Sequence, residues 1–172
     1  SAATSTITAT PSSITADGTS NTTITVQAKD ANGNNLTAGG DTVSLSSNAG
    51  TLSNFADNGD GTYTALLTSS TVKGTATVSG TLNTASITDS ASVTFVAGPA
   101  TAANTIISAA PSTISADGTT TSTVTVQAVD ANGNSLDSGG NAVVLTTSSG
   151  SLGPVTDNAD GTYTATLTSS TE

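Results

Sequence analysis

The chain repeats itself. Displaced by 100 residues it realigns on itself without a gap, and 41 of the 72 overlapping positions are identical. Pro11 falls on Pro111, Asp17-Gly18-Thr19 on Asp117-Gly118-Thr119, and Val26-Gln27-Ala28 on Val126-Gln127-Ala128. Asp30-Ala31-Asn32-Gly33-Asn34 falls on Asp130-Ala131-Asn132-Gly133-Asn134, and Asp60-Gly61-Thr62-Tyr63-Thr64-Ala65 on Asp160-Gly161-Thr162-Tyr163-Thr164-Ala165. A period of this length fits a small domain with its own core, whereas a solenoid turn of about 20 to 45 residues must stack on its neighbours. The chain therefore reads as two domains in tandem, 1–98 and 99–172. Residues 73–100 of the first copy have no counterpart after Glu172.

Within each copy, apolar and polar residues alternate in short runs. Ile24, Val26 and Ala28 share one face, as do Val43 and Leu45, then Tyr63, Ala65 and Leu67, then Ala76 and Val78, then Val93 and Phe95. A period of two with β-branched residues predicts half-buried antiparallel strands with a threonine-rich wet face. Ala16-Asp17-Gly18, Asp30-Ala31-Asn32-Gly33-Asn34, Gly39-Gly40 and Asp57-Asn58-Gly59-Asp60-Gly61 separate the runs with residues that tolerate positive φ. The predicted strands are A at 4–10, B at 22–29, C at 42–47, D at 51–56, E at 62–68, F at 74–80 and G at 85–96. No segment has helical periodicity. The fold class is all-β, a tandem of Greek-key β-sandwiches with about seven strands per complete repeat. Their cores would be Ile, Val, Leu and Ala with one aromatic per layer. At ~25 cal/mol per Å2 of buried apolar surface, side chains this small supply a modest driving force.

Composition removes several functions. The net charge is -10, with 2 lysines, 12 acidic residues and no arginine or histidine. Such a surface repels phosphate backbones and anionic membranes, so no nucleic-acid partner is expected. No apolar run approaches the ~18 residues of a membrane-spanning helix, so no membrane insertion is expected of this segment. Residues 1–8 lack the basic start and apolar centre of a signal peptide, which places any export signal upstream or already removed. With no Cys or His, neither a disulfide nor a thiolate or imidazole metal site is possible.

The stretch from Thr6 through Pro11 to Thr19 resembles the opening of a bacterial immunoglobulin-like domain of the invasin and intimin type. Val26 to Asn34 is similar to that family's second strand and following turn, Asp57 to Ala65 to its later hairpin, and Val93 to Ala100 to the junction between its repeats. The resemblance covers the entire chain. It implies immunoglobulin-like sandwiches arrayed on the outside of a bacterial cell, where tandem repeats hold a distal adhesive domain away from the envelope. Adjacent repeats of the same chain are then its partners, and its location is the extracellular bacterial surface. A carbohydrate- or receptor-binding module and a decoration or tail domain of a phage remain as alternatives.

Candidate site residues carry bland readings beside the sharp ones. Asp30 and Asp130 open segments with oxygen ligands at the first, third and fifth positions, as a calcium loop does. The sixth position is Asn35 or Ser135 and the twelfth Asp41 or Asn141, where an EF-hand needs glycine and glutamate. Asp57 with Asp60, and Asp157 with Asp160, pair carboxylates in a hairpin. The alternatives there are calcium and side-chain bonds to nearby backbone N–H groups. These six aspartates are the calcium candidates, and no other cofactor is implied. Tyr63 and Tyr163 are either tyrosine corners or core aromatics with the hydroxyl at the edge. Lys29 and Lys73 are isopeptide candidates, but Val129 stands where Lys29 would recur. Asn21-Thr22-Thr23 and Asn35-Leu36-Thr37 fit the glycosylation pattern. With no His or Cys and no recurring Ser-Lys pair, the residues of an active site are missing, and no catalytic residue is assigned.

The second copy carries the predicted strands A to E and lacks F and G. Removal of a central strand exposes apolar faces and unpaired backbone. Either the chain belongs to a longer array, or a strand from another copy completes the half-domain by exchange.

Overall fold

The alternation of small apolar residues with threonine builds the first sheet. In the computed structural model, which describes residues 1–171, β3 (Asn21–Gln27) and β6 (Thr62–Thr68) pair antiparallel. Their register sets Val26 opposite Tyr63, Ile24 opposite Ala65 and Thr22 opposite Leu67, and all six side chains are buried. Thr25 and Thr64, the pair between, stay partly exposed. β1 (Thr6–Thr10) adds to β3 and β5 (Thr51–Asp57) to β6, giving the order β1-β3-β6-β5.

A second sheet covers this one. It contains β2 (Ser13–Thr15), β4 (Val43–Ser47), β7 (Gly74–Leu82), β8 (Ala85–Ser86) and β9 (Ala91–Val96), in the order β2-β9-β7-β4 with β8 beside β7. Ala91, Val93 and Phe95 of β9 and Ala76 and Val78 of β7 point inward, onto Ile7, Ile24, Val26 and Leu67. This is the two-sheet arrangement of an immunoglobulin-like sandwich, with the first strand divided between the sheets. The division falls at Pro11, which has no N–H to continue a ladder. Its carbonyl instead accepts the Thr22 hydroxyl.

Two strand expectations are corrected here. β2 was not foreseen, because three residues carry too little alternation to read. The expected strand at 85–96 is two strands, β8 and β9. Asn83 and Thr84 turn the chain at φ of 49° and 70°, and the N–H of Ile87 goes to Gly80 before the chain reaches β9. The exposed edge strand β5 is broken by a bulge between Ser53 and Ala56, with Asn54 at φ 54°. Such a bulge makes an edge a poor template for another chain.

The chain divides into two units, Ser1–Val96 and Ala97–Glu172. The second has β10 (Ile106–Ala110), β11 (Thr121–Gln127), β12 (Ser151–Leu152), β13 (Thr156–Asp157) and β14 (Thr162–Thr168). Their order is β10-β11-β14-β12, with β13 also on β14. The register is that of unit 1: Val126 lies opposite Tyr163, Val124 opposite Ala165 and Ser122 opposite Leu167. The expected strand C of the second copy does not form, since Val143–Thr147 lies in no strand. Neither does 113–115, the counterpart of β2. In unit 1, β4 pairs with β7 and β2 with β9. Among the described residues of unit 2 no strand stands in either place. The described residues contain no helix.

Candidate functional site

The recurring aspartates gather in the turns and accept the same backbone N–H groups in both units, with Asp130 adding one from Gly98. Asp57 closes its hairpin by accepting the Gly59 N–H at 2.9 Å, and its other oxygen accepts the Gly40 N–H at 2.7 Å. Asp157 does the same with Ala159 at 2.8 Å and Gly140 at 2.7 Å. The carboxylate thus ties the hairpin before β6 to the Gly39-Gly40 loop. Asp60 and Asp160 accept the N–H and hydroxyl of Thr62 and Thr162, and these bonds hold both carboxyls below the usual range.

Asp30 and Asp130 organise the turn after β3 and β11. Asp30 accepts the N–H groups of Asn32 and Asn34 at 2.8 and 2.9 Å and the Asn34 side-chain amide at 2.8 Å. Asp130 repeats these three bonds and adds a fourth, from the Gly98 N–H at 2.9 Å. Ala100 bridges to Asp130, Thr101 N–H donates to the Val129 carbonyl at 2.8 Å, and Asn104 donates to the Asp130 carbonyl at 2.7 Å. The segment that leads into the repeat is therefore bound along the loop, and Asp130 is only 1% exposed. Burial pushes its carboxyl up, but the Asn134 side chain, the Gly98 N–H and the other donors outweigh this and leave it at about 2.

A fold-level consequence can be measured. Asp130→Ala leaves buried N–H groups without an acceptor and is expected to cost unit 2 about 2 kcal/mol at neutral pH. The folded carboxyl titrates near 2, below its ordinary 3.8. Its contribution is therefore complete above about pH 4 and disappears as pH falls toward 2. Urea unfolding of both proteins at pH 7 and pH 2.5 should show the gap narrowing at low pH. A gap independent of pH contradicts this.

Tyr63 and Tyr163 place their rings in the core and their hydroxyls on a loop backbone. The Asp41 N–H donates to the Tyr63 hydroxyl at 3.0 Å, and the Asn141 N–H to that of Tyr163 at 2.9 Å. Burial pushes the Tyr63 phenol up. The Tyr63 hydroxyl and Asp57 thus accept consecutive N–H groups of the same loop, those of Asp41 and Gly40. Gln27 and Gln127 had no expected role. Each directs its side-chain amide to three carbonyls, at 28, 36 and 61 and at 128, 136 and 161, with distances of 3.0, 3.4 and 3.2 Å in both units.

Asp17 and Asp117 were also passed over as turn residues. Asp17 accepts the N–H groups of Thr19 and Ser20, at 2.8 and 2.6 Å, and the Ser20 hydroxyl at 2.7 Å. Ser69, from the end of β6, donates to the same carboxylate at 3.3 Å. The Ser20 backbone bond leads the causes that hold Asp17 far below the ordinary carboxylate range, and the Thr120 hydroxyl leads for Asp117. The recurrence of Asp-Gly-Thr was the available signal. Its link to Ser69, 52 residues away, was not visible.

No three acidic side chains converge on a point that suits a cation among the described residues. Asn21 and Asn35 are exposed, and Lys29 takes part in a backbone bridge to Asn35. Chemically, these carboxylates orient loops. Those with shifted acidity are driven down, away from the range in which a carboxyl exchanges protons near neutral pH.

The comparisons agree with this architecture. The family described as invasin, domain 3 matches residues 1–98 and again 101–172. A crystal structure of invasin, described as a bacterial integrin-binding protein, is 36% identical with a TM-score of 0.75, over 98% of this chain and 35% of that one. InvD of Yersinia pseudotuberculosis is 32% identical with a TM-score of 0.74, over 96% of this chain and 49% of that one. FdeC, an Escherichia coli adhesin, is 30% identical with a TM-score of 0.62, over 99% and 57%. The chain thus spans about a third to somewhat over half the length of these relatives. Two successive matches to one domain family, on the two halves that repeat each other in sequence and hydrogen bonding, show that the chain belongs to the invasin domain 3 family of bacterial immunoglobulin-like adhesin domains.

Proposed function

We propose that this chain is a spacer segment of a bacterial surface adhesin, located outside the cell, with no catalytic role. The observation that supports this reading most is the identity of the internal bonds in the two units. Asp57 and Asp157, Asp60 and Asp160, Tyr63 and Tyr163, and Gln27 and Gln127 each take the same backbone partners. The polar residues the repeat retains are those that hold its own loops, which is what an element serving as length requires. A module selected for a ligand would retain groups aimed outward. Similar structures include an adhesin and an integrin-binding protein, which supports a parent at the cell surface.

The loops need no cation on this reading, because backbone and side-chain donors already engage the carboxylates. Melting in excess calcium and in excess chelator is expected to give the same midpoint, since only a ligand that prefers the native state raises it. A midpoint that falls on chelation overturns the account of these turns. For the function itself, the full adhesin is compared with a form lacking residues 1–100. Receptor affinity in solution should be equal, and attachment of cells across a fixed gap should weaken in the shortened form. Saturable binding of the isolated chain to host cells or glycans is the contrary result.

A further inference from the structure

A segment that holds an adhesive end away from a cell is pulled through both of its ends, so the spacer reading implies tension. The topology of unit 1 decides how such a pull is met. The entering chain is bonded to the turn before β9: the Thr88 hydroxyl donates to the Ala3 carbonyl at 2.9 Å, and Asp89 accepts the Ile7 N–H at 2.9 Å. Further along, Ser13 lies beside Thr94, Ile14 beside Phe95 and Thr15 beside Val96, in parallel register. The entering chain and the leaving strand thus advance in the same direction through the sandwich. The chain arrives at one end of the β2–β9 pair and departs from the opposite end. Tension therefore drives β2 and β9 past each other along their length.

We propose that unit 1 is a tension-bearing domain and that the β2–β9 pair is the clamp that bears the load. The Thr94 N–H donates to the Ser12 carbonyl at 2.9 Å and the Ala16 N–H to the Val96 carbonyl at 2.8 Å, one at each end of the paired stretch. Bonds in a parallel ladder are evenly spaced. A sliding force loads them together, whereas a force that parts the strands from one end breaks them in turn. Ile14, Ala16 and Phe95 are buried, so the inner side of the ladder is dry and its bonds are stronger than they would be in water.

Phe95 joins the clamp to the core, because its backbone stands in the ladder and its ring lies in the apolar cluster. The core is thus exposed only after the clamp opens. Contacts elsewhere in the unit sit outside the loaded path. Gly61 packs on the Leu36 carbonyl and accepts the Ala28 N–H, on the far side of β3, and these contacts outlast the sliding of β2 from β9. Resistance to force and equilibrium stability therefore depend on different residues, since forced unfolding follows the rate of crossing the first barrier.

The test pulls the full chain at constant force. The sequence has no cysteine, so introduced pairs place the handles at exposed sites. Ala3→Cys with Pro99→Cys slides the pair, and Thr19→Cys with Pro99→Cys parts it from the end at Thr15 and Val96. At equal force the second arrangement should unfold unit 1 at least about tenfold faster, the equivalent of one backbone hydrogen bond no longer sharing the load. Thr94→Pro removes the N–H that reaches Ser12, at a residue with an exposed side chain. In the sliding arrangement it should raise the unfolding rate about tenfold. Gly61→Ala should leave that rate nearly unchanged despite its loss in urea. Equal rates in the two arrangements, or a rate for Gly61→Ala that rises with its urea loss, overturn the proposal. If Thr94→Pro does not fold, the two arrangements decide alone. The clamp rests on the spacer reading, yet the two fail separately: saturable binding to host cells or glycans sinks the spacer, and equal rates sink only the clamp.

Discussion

Gly61→Ala is expected to destabilise unit 1 by about 3–4 kcal/mol, while Gly33→Ala costs about 1 kcal/mol. Both glycines have the same left-handed backbone, at φ +83° and +85°. Their surroundings differ. A Cβ on Gly33 meets nothing within 4 Å, so only the conformational penalty applies. A Cβ on Gly61 would lie 2.0 Å from the Leu36 carbonyl oxygen, a backbone atom that cannot swing aside. Moving it also disturbs the Gly61 carbonyl, which accepts the Ala28 N–H at 3.0 Å and the Gln27 amide at 3.2 Å. Gly161 meets Leu136 in the same way, at 2.1 Å, so Gly161→Ala should injure unit 2 similarly. Urea unfolding of the single variants checks this. Equal losses at 61 and 33 would show that φ, not the close approach, sets the cost.

Phe95→Ala should have an effect of similar size, about 3–5 kcal/mol. Phe95 is 2% exposed and fills the space between β9, Leu67 and Gly50. The rest of its core cluster is Ile, Val, Leu and Ala with Tyr63, and a rigid sheet pair cannot close over the lost ring. A domain of this size is held by only about 5–15 kcal/mol, so a large share of the stability of unit 1 disappears. The midpoint of its thermal transition should fall by about 4–8 °C for each kcal/mol. Phe55→Ala is the control. That ring is 55% exposed on the bulged edge strand, and its removal should change stability by less than about 0.5 kcal/mol. Comparable losses from the two substitutions would contradict the assigned core.

Much of the fold was legible because strands announce themselves by period. The faces formed by Ile24 and Val26, by Tyr63, Ala65 and Leu67, and by Val93 and Phe95 are the buried faces observed. Elements shorter than the period was able to resolve escaped, as β2 did, and so did the break between β8 and β9, which depends on two non-glycine residues at positive φ. The turn aspartates were visible as recurring residues, but their reach was not. Asp57 to Gly40, Asp17 to Ser69 and Asp130 to Gly98 join positions 17, 52 and 32 residues apart, and no local pattern encodes such a distance.

Local sequence determined that this chain is two copies of an all-β unit, which side of each strand is apolar, and where the chain turns, because alternation and turn chemistry act over a few residues. Only the tertiary structure decided whether an edge segment becomes a strand. Val43–Ser47 and Val143–Thr147 share Val and Leu at the same places, yet the first is β4 and the second is in no strand. The physical reason is that an edge strand has no hydrogen-bonding partner of its own: β4 exists because β7 lies beside it.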